Sequence, residues 1–259
     1  MPTKAAPERI REIQERGFTL VPSVIPLEEV RVLRALLQTC INEDLDRWKG
    51  KPYPDSWMVH NLMARGMPFA RLMENACLQA YLCALLGGTC IIYAYTSSSM
   101  PPKGTNSSHR IHNDCPRFIP GYATNVGVML ALDDYTEENG ATYFLPGSHM
   151  REDCPSEQEF MAKAERVFPK QGEAVIFNAR TFHMGGRNET DQPRHAVTMN
   201  VCRAYMRQRF DYPRLVPKEV VDQLGEVGRR FLGFNVRVPA SLEEYYLPED
   251  QRLYKAGQG

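Results

Sequence analysis

The sequence lacks closely spaced cysteine pairs, long apolar runs and an excess of charge of either sign. Its seven cysteines include no CxxC pair, which argues against a zinc knuckle and against a disulfide framework in a chain of this length. No apolar run approaches the roughly 18 residues that a membrane-spanning helix needs. The 31 basic and 31 acidic side chains cancel, so charge gives no reason to expect a nucleic-acid or membrane partner.

Targeting signals and internal repeats are also missing. The opening MPTKAAPERIREIQERGF is charged and has no apolar core of a signal peptide. The closing LYKAGQG matches neither an ER-retention nor a peroxisomal address. We therefore expect a cytoplasmic protein, and the sequence leaves its oligomeric state open.

What is present is a helical first third followed by a β-rich middle. Apolar residues at helical spacing predict helices over 27–45, after Pro26, and over 68–86, before Gly87-Gly88. Short β-branched and aromatic runs separated by turn residues then predict strands, with a helical segment after Pro213. The strands are expected at 89–96, 123–132, 142–145, 173–177 and 194–205. The pattern predicts one domain over 1–259: mainly β, a barrel or jelly roll buttressed by N-terminal α-helices, with a helical extension over 214–259.

His112 and Asp114 form an HxD triplet. Side chains at i and i+2 of an extended segment point to the same side, and a distant His183 can add a second imidazole. Two histidines and one carboxylate on one face leave three positions open, the ligand set of non-haem Fe(II) oxygenases. A hydrogen-bonded surface pair is the alternative for an isolated HxD.

Arg194 opens the predicted strand 194–205, eleven residues after His183. The residues on its side of the strand are small or polar, and those on the other side are apolar. The two sets are Ala196, Thr198, Asn200, Cys202 and Ala204 against Val197, Met199 and Val201. This pattern favours the wall of a polar cavity, where a guanidinium binds a carboxylate in bidentate fashion. A surface salt bridge is the alternative.

Between these residues lies the segment LDDYTEENGATYFLPGSH, residues 132–149. Together with His112 and Asp114 before it and His183 and Arg194 after it, the segment closely resembles the phytanoyl-CoA dioxygenase-like (PhyH) family. The resemblance spans about residues 18–207. It implies a double-stranded β-helix (jelly roll, cupin-like) core and an Fe(II)- and 2-oxoglutarate-dependent oxygenase that uses O2.

The resemblance also assigns roles to single residues. His112, Asp114 and His183 are expected to ligate Fe(II), and Arg194 to bind the C5 carboxylate of 2-oxoglutarate, whose C1 carboxylate and keto oxygen chelate the metal. His109, three residues before the first ligand, stands where relatives commonly carry a cosubstrate-binding Gln.

Two further contacts follow from the same resemblance, and three other histidines are expected to be structural from their place in the sequence. Thr142 is expected on the wall of the cosubstrate pocket, and Asn61 near the substrate. His149 and His195 are expected to satisfy buried polar groups rather than to bind metal, and His60 is expected to be similar.

The expected reaction is oxidation of a C–H bond in a small-molecule, secondary-metabolite substrate. Hydroxylation is the leading expectation, and desaturation or cyclisation is the alternative outcome. Asp114 argues against halogenation, because related halogenases lack this carboxylate. Three alternatives remain: a cupin-like metalloenzyme acting without 2-oxoglutarate, a phytanoyl-CoA-type acyl hydroxylase, and a non-catalytic scaffold. The sequence shows no obvious basic cluster for CoA phosphates.

Overall fold

The computed structural model describes residues 4–53 and 55–257. Among these residues, most helices lie toward the two ends of the chain and most strands lie in the middle. The helices are α1 (Pro7–Arg16), α2 (Leu27–Arg47), α3 (Met67–Leu72), α4 (Ala76–Leu86), α5 (Glu157–Lys163), α6 (Tyr212–Leu215), α7 (Lys218–Val221), α8 (Glu226–Phe231) and α9 (Leu242–Tyr245). The strands are β1 (Phe18–Val21), β2 (Ile91–Ser97), β3 (Asn125–Ala131), β4 (Thr142–Phe144), β5 (Glu165–Val167), β6 (Ala174–Asn178), β7 (His183–Met184) and β8 (Ala196–Cys202).

The strands form two antiparallel sheets. The larger sheet has the order β1-β6-β3-β8-β2, and the smaller one has the order β5-β4-β7. At the centre of the larger sheet, Val128 pairs with Ile176 on β6 and with Met199 on β8. The fold is therefore mixed. Its antiparallel sheets flanked by helices agree with the prediction, but the mainly β content that the sequence predicts goes too far, because helices hold more of the described residues than strands do.

Strand β3 divides its side chains between two hydrophobic clusters. Val126, Val128 and Leu130 join the apolar side chains of α2 and α4, whereas Met129 joins Phe144 of the smaller sheet. The alternation is the period-two pattern of a strand buried on both faces. It confirms the prediction that Val126, Val128 and Leu130 share one face, and it leaves the opposite face of β3 for the cavity described below.

Two predicted helices are each interrupted. The helix expected over 68–86 is divided into α3 and α4, because the Asn75 side chain accepts a hydrogen bond from the Leu78 amide (3.0 Å) and begins a new helix. The C-terminal segment is divided into α7 and α8, with Gly225 at the start of α8. Phe231 of α8 is nevertheless buried in the same cluster as α2 and α4.

Several short elements escaped the sequence prediction, among them α5, β5 and the two-residue strand β7. A run of two or three residues is too short to display a period. No helix among the described residues is long and apolar enough to cross a membrane. The single-domain organisation with a core at 18–207 stays a prediction.

Candidate active site

Backbone pairing brings the two histidines of the predicted metal site together. The His112 amide donates to the His183 carbonyl (3.0 Å), and the His183 amide donates back to the His112 carbonyl (2.8 Å). The ring centroids lie 4.2 Å apart. The backbone of Asp114 is held in place because its amide donates a hydrogen bond to the Ala179 carbonyl (2.9 Å). One ligand atom from each of the three side chains lies within 4.8 Å of the others, so the structure gathers the predicted ligand set at one point.

Each of the two histidine rings is oriented by a hydrogen bond through its Nδ1 atom. His112 Nδ1 lies 2.8 Å from the Arg110 carbonyl oxygen, and His183 Nδ1 lies 3.0 Å from the Thr181 carbonyl oxygen. A carbonyl only accepts, so both Nδ1 atoms carry the proton and both Nε2 atoms keep a lone pair. His112 Nε2 is directed toward Asp114, 3.7 Å from its Oδ1. This outer arrangement of carbonyls is typical of histidines that bind metal.

The electrostatics keep the His112 ring neutral. Burial, and next the neighbouring His183, lower the pKa of His112 to about 4. Because a metal ligand must be deprotonated, the ring has the required form at neutral pH without any proton being removed first.

Aromatic side chains support the His183 ring. Phe144 stacks on it at 5.4 Å between centroids, and Phe177 meets it edge-on at 5.1 Å. Phe177 lies against Gly127 of β3, where any Cβ would overlap the phenylalanine ring. Because Gly127 has no side chain, the Phe177 ring can occupy this place and support the His183 ring.

Arg194 is enclosed beside the turn formed by Asn139 and Gly140. Only 1% of the residue is exposed, and its Nε and Nη2 donate to the carbonyls of Asn139 (3.3 Å) and Gly140 (3.2 Å). Gly140 has φ of 86°, and a Cβ there would lie 2.5 Å from the Gly186 carbonyl oxygen, so the turn requires glycine. Nη1 finds no hydrogen-bond partner among the described residues.

A cavity of about 300 Å³ opens onto the three candidate ligands. Thr142 lies on its wall, as predicted, and so do Thr198 and Asn200 of β8. On the opposite face of β8, Val197, Met199 and Val201 belong to the hydrophobic cluster. The predicted cavity side holds for Thr198 and Asn200, whereas Met199 of the core side also reaches the cavity wall and Arg194 does not.

Three predicted site residues are not on the cavity wall: Arg194, which is enclosed as described above, His109 and Asn61. His109 has an exposed side chain whose Nδ1 lies 2.7 Å from the Gly185 carbonyl oxygen. Asn61 begins a short 3-10 turn with φ of 57°. The structure does not bring the side chain of His109 or Asn61 to the three ligands, and the roles of these two residues stay predictions that their positions do not favour.

The structure also adds residues that the sequence did not single out. His60, which the sequence assigned to packing, lies on the cavity wall with Asp55, whose Oδ2 is 3.0 Å from His60 Nε2. Arg110 and Arg209 also line the cavity. Asp55 and His60 lie five residues apart, but Arg110 and Arg209 come from other parts of the chain, so no local spacing connects all four in the sequence.

The remaining histidines behave as predicted. His195 is fully buried between Ser99 Oγ (2.9 Å) and Gln38 Oε1 (3.1 Å). His149 Nε2 lies 3.0 Å from the Gln14 carbonyl oxygen. Both rings satisfy polar groups away from the candidate metal centre.

Comparisons with known proteins show which sequences resemble this chain. An uncharacterised protein of Mycobacterium tuberculosis (strain ATCC 25618 / H37Rv) is 35% identical over 163 residues, covering 62% of this chain and 60% of the relative. The dioxygenase sphC of Aspergillus fumigatus (strain CBS 144.89 / FGSC A1163 / CEA10) is 24% identical, covering 90% of this chain and 68% of sphC. The match thus spans about 60% of the mycobacterial relative's length.

A solved structure shares the fold. The non-haem alpha-ketoglutarate-dependent carbocyclase SnoK from nogalamycin biosynthesis superposes with a TM-score of 0.63 at 21% identity, covering 82% of this chain and 92% of SnoK. The family model described as phytanoyl-CoA dioxygenase (PhyH) matches residues 13–196, which include all three candidate ligands and Arg194. The chain belongs to the phytanoyl-CoA dioxygenase (PhyH) family.

Proposed function

We propose that the protein is an Fe(II)- and 2-oxoglutarate-dependent dioxygenase that oxidises a C–H bond of a small polar molecule, with hydroxylation as the leading reaction. The observation that carries the proposal is the convergence of His112, Asp114 and His183, with both histidine Nδ1 atoms committed to carbonyl oxygens.

The donor set fits Fe(II). Two imidazole nitrogens and one carboxylate oxygen are the ligand types of the facial triad, which leaves coordination positions open for a chelating cosubstrate and dioxygen. When bound, Fe(II) supplies the oxidation in which 2-oxoglutarate, O2 and the substrate C–H become succinate, CO2 and C–OH. His112 and His183 supply the nitrogen ligands, and Asp114 supplies the oxygen ligand.

Arg194 fits the distal carboxylate of 2-oxoglutarate. Its guanidinium is buried, it is fixed by two carbonyls, and its Nη1 lacks a partner in the described part of the chain. A buried cation without an acidic partner is costly, and a carboxylate ligand would compensate it. Thr142 is the second proposed cosubstrate contact, since among the described residues its hydroxyl has only the Met129 sulfur as a partner, at 3.5 Å.

The lining of the cavity supports a polar substrate. Beyond the ligands, the wall carries hydroxyl, amide and charged groups: Asp55, His60, Thr96, Ser98, Ser107, Ser108, Arg110, Thr198, Asn200 and Arg209. Some of these groups already pair with each other, such as Thr96 with Thr198 and His60 with Asp55. A branched acyl chain would bury the others without partners, at a cost of roughly 1–3 kcal/mol for each one left unsatisfied. We therefore favour a hydrogen-bonding secondary metabolite over a phytanoyl-CoA-type substrate. SnoK, from nogalamycin biosynthesis, offers an analogy for such a role.

We further propose that the two sheets are the halves of a double-stranded β-helix within one domain. The cluster between them joins Phe18, Met129 and Phe177 of the larger sheet to Phe144 of the smaller one. The likeness to SnoK, with a TM-score of 0.63, supports this assignment.

The test is turnover with a panel of substrates. Purified protein with Fe(II), 2-oxoglutarate and O2 is incubated with polar metabolites and, separately, with phytanoyl-CoA, and succinate and oxidised product are quantified. We expect Fe(II)-dependent succinate formation that a polar compound stimulates, with one product molecule per succinate. Metal-dependent conversion of a substrate without 2-oxoglutarate would contradict the proposal and favour the cupin-like alternative.

A further inference from the structure

We propose that the phenol of Tyr135 is a second donor to the distal carboxylate of 2-oxoglutarate, beside Arg194. This inference rests on the proposed function and adds a residue that the ligand and arginine pattern does not contain. Tyr135 lies in the segment LDDYTEENGATYFLPGSH, four residues before Asn139.

The ring of Tyr135 holds the arginine in place. The guanidinium carbon of Arg194 lies 4.0 Å from the centroid of the Tyr135 ring, the geometry of a cation–π contact. The tyrosine is itself fixed, because its amide donates to the Pro169 carbonyl (2.9 Å) and its ring packs in the cluster with Ala141 and Phe144. One wall of the arginine site is therefore a rigid aromatic face.

Two polar atoms in this contact have no partner outside it. The Tyr135 hydroxyl and Arg194 Nη1 are both buried, and neither forms a hydrogen bond of good geometry within the described ranges 4–53 and 55–257, although the hydroxyl lies close enough to the Arg194 side chain to interact with it. Each residue is only 1% exposed. Buried donors without acceptors are rare in folded proteins, because each costs about 1–3 kcal/mol. Two adjacent ones indicate an acceptor that a bound molecule brings.

The charges around Arg194 favour an anion as its missing partner. The nearby carboxylate of Asp133 is already occupied, since its Oδ1 accepts from Arg34 Nε (2.6 Å) and its Oδ2 accepts from the His195 amide (2.8 Å). Arg194 forms no salt bridge with any described acidic residue. A carboxylate has two oxygens, one for the guanidinium and one for the phenol, and so it matches both unpartnered donors.

The phenol keeps its proton under working conditions. Burial raises the pKa of Tyr135, and Arg194 opposes this only in part. The group is therefore a neutral O–H donor at neutral pH, which is the form that a carboxylate requires.

The test is Tyr135→Phe, which removes the hydroxyl and keeps the ring over Arg194. Under anaerobic conditions, the Fe(II) protein is titrated with 2-oxoglutarate and, separately, with 2-oxobutyrate, which has no distal carboxylate, and the visible charge-transfer band gives each Kd. We expect the Kd for 2-oxoglutarate to rise about tenfold or more, as for a lost hydrogen bond to a charged group. The Kd for 2-oxobutyrate should stay unchanged.

Tyr143→Phe is the matched control. Tyr143 lies on β4 with its ring against Arg166 (4.6 Å), and its loss should leave both Kd values unchanged. If wild-type protein binds 2-oxoglutarate and Tyr135→Phe binds it equally well, the inference is wrong and the proposed function stands. If Tyr135→Phe weakens both ligands equally, its role is structural and the inference is also wrong. If wild-type protein gives no band with either ligand, the proposed function itself fails.

Discussion

The two ends of the cavity are built in different ways. At the inner end, Thr142 and His183 lie on short strands of the cavity wall, and Arg194 and Tyr135, which do not line the cavity, are almost wholly enclosed. At the outer end, Asp55, His60, Ser107, Arg110 and Arg209 come from loops and are partly or fully exposed. Rigid strands hold groups that must keep one geometry, and loops carry groups that can vary.

This difference suggests a division of labour in the proposed enzyme. The inner end would hold the metal and the cosubstrate, which are the same in every cycle, and the outer end would select the substrate. Changes at the inner end should therefore alter cosubstrate binding or stability, and changes at the outer end should alter substrate preference alone.

The largest effect is expected for Arg194→Ala. Removing the guanidinium takes away the charge partner of the distal carboxylate, so the Kd for 2-oxoglutarate should rise about 100-fold or more. Fe(II) affinity and the Kd for 2-oxobutyrate should change little, as measured by anaerobic titration. An unchanged requirement for 2-oxoglutarate would show that Arg194 is not the carboxylate site.

The second largest effect is expected on stability, in the Gly127→Ala variant. The added methyl would overlap the Phe177 ring, so unfolding free energy should fall by roughly 1–3 kcal/mol, the usual cost of overpacking. Gly88→Ala is the control, since nothing lies within 4 Å of its Cβ position, and surface changes usually stay within about 0.5 kcal/mol. Urea denaturation measures both. Equal stability of the two variants would mean that Phe177 is free to move.

A smaller effect is expected on the pH dependence of stability, from the titration of His195, the residue after Arg194 in the chain. Burial is the largest cause that lowers the pKa of this histidine to about 4. The folded ring stays neutral while the unfolded chain takes up a proton below about 6.5, so stability should decrease as pH falls from 6.5 toward 4. Between pH 7.5 and 5.0, wild type should lose on the order of 1–2 kcal/mol more than His195→Gln. Identical pH dependence in urea unfolding would refute this.

The smallest effect is expected at the outer end, from His60→Asn. The substitution removes the contact with Asp55 but touches neither the candidate ligands nor Arg194. The KM for the organic substrate should rise a fewfold to about tenfold, as for one lost hydrogen bond. Fe(II) and 2-oxoglutarate binding should match wild type. A change in 2-oxoglutarate affinity would break the separation of the two ends.

The sequence predicted the inner end better than the outer end, for physical reasons. The pair His112 and Asp114 is local, and the alternation along 194–205 separates the cavity side of β8 from its core side. Tyr135 lies inside the quoted motif but was not identified, because an unpartnered hydroxyl is visible only in three dimensions. His60 and Arg209 both line the cavity, but they lie on loops whose course follows no period.

The central claim, that the inner end binds Fe(II) and 2-oxoglutarate together, is tested most directly by anaerobic titration of the metal-free protein. Fe(II) is added first and then 2-oxoglutarate, and the visible charge-transfer band of the chelate is followed, with His112→Ala as the comparison. The account predicts a saturable band in wild type that His112→Ala abolishes. Iron binding without any band on addition of 2-oxoglutarate would contradict it.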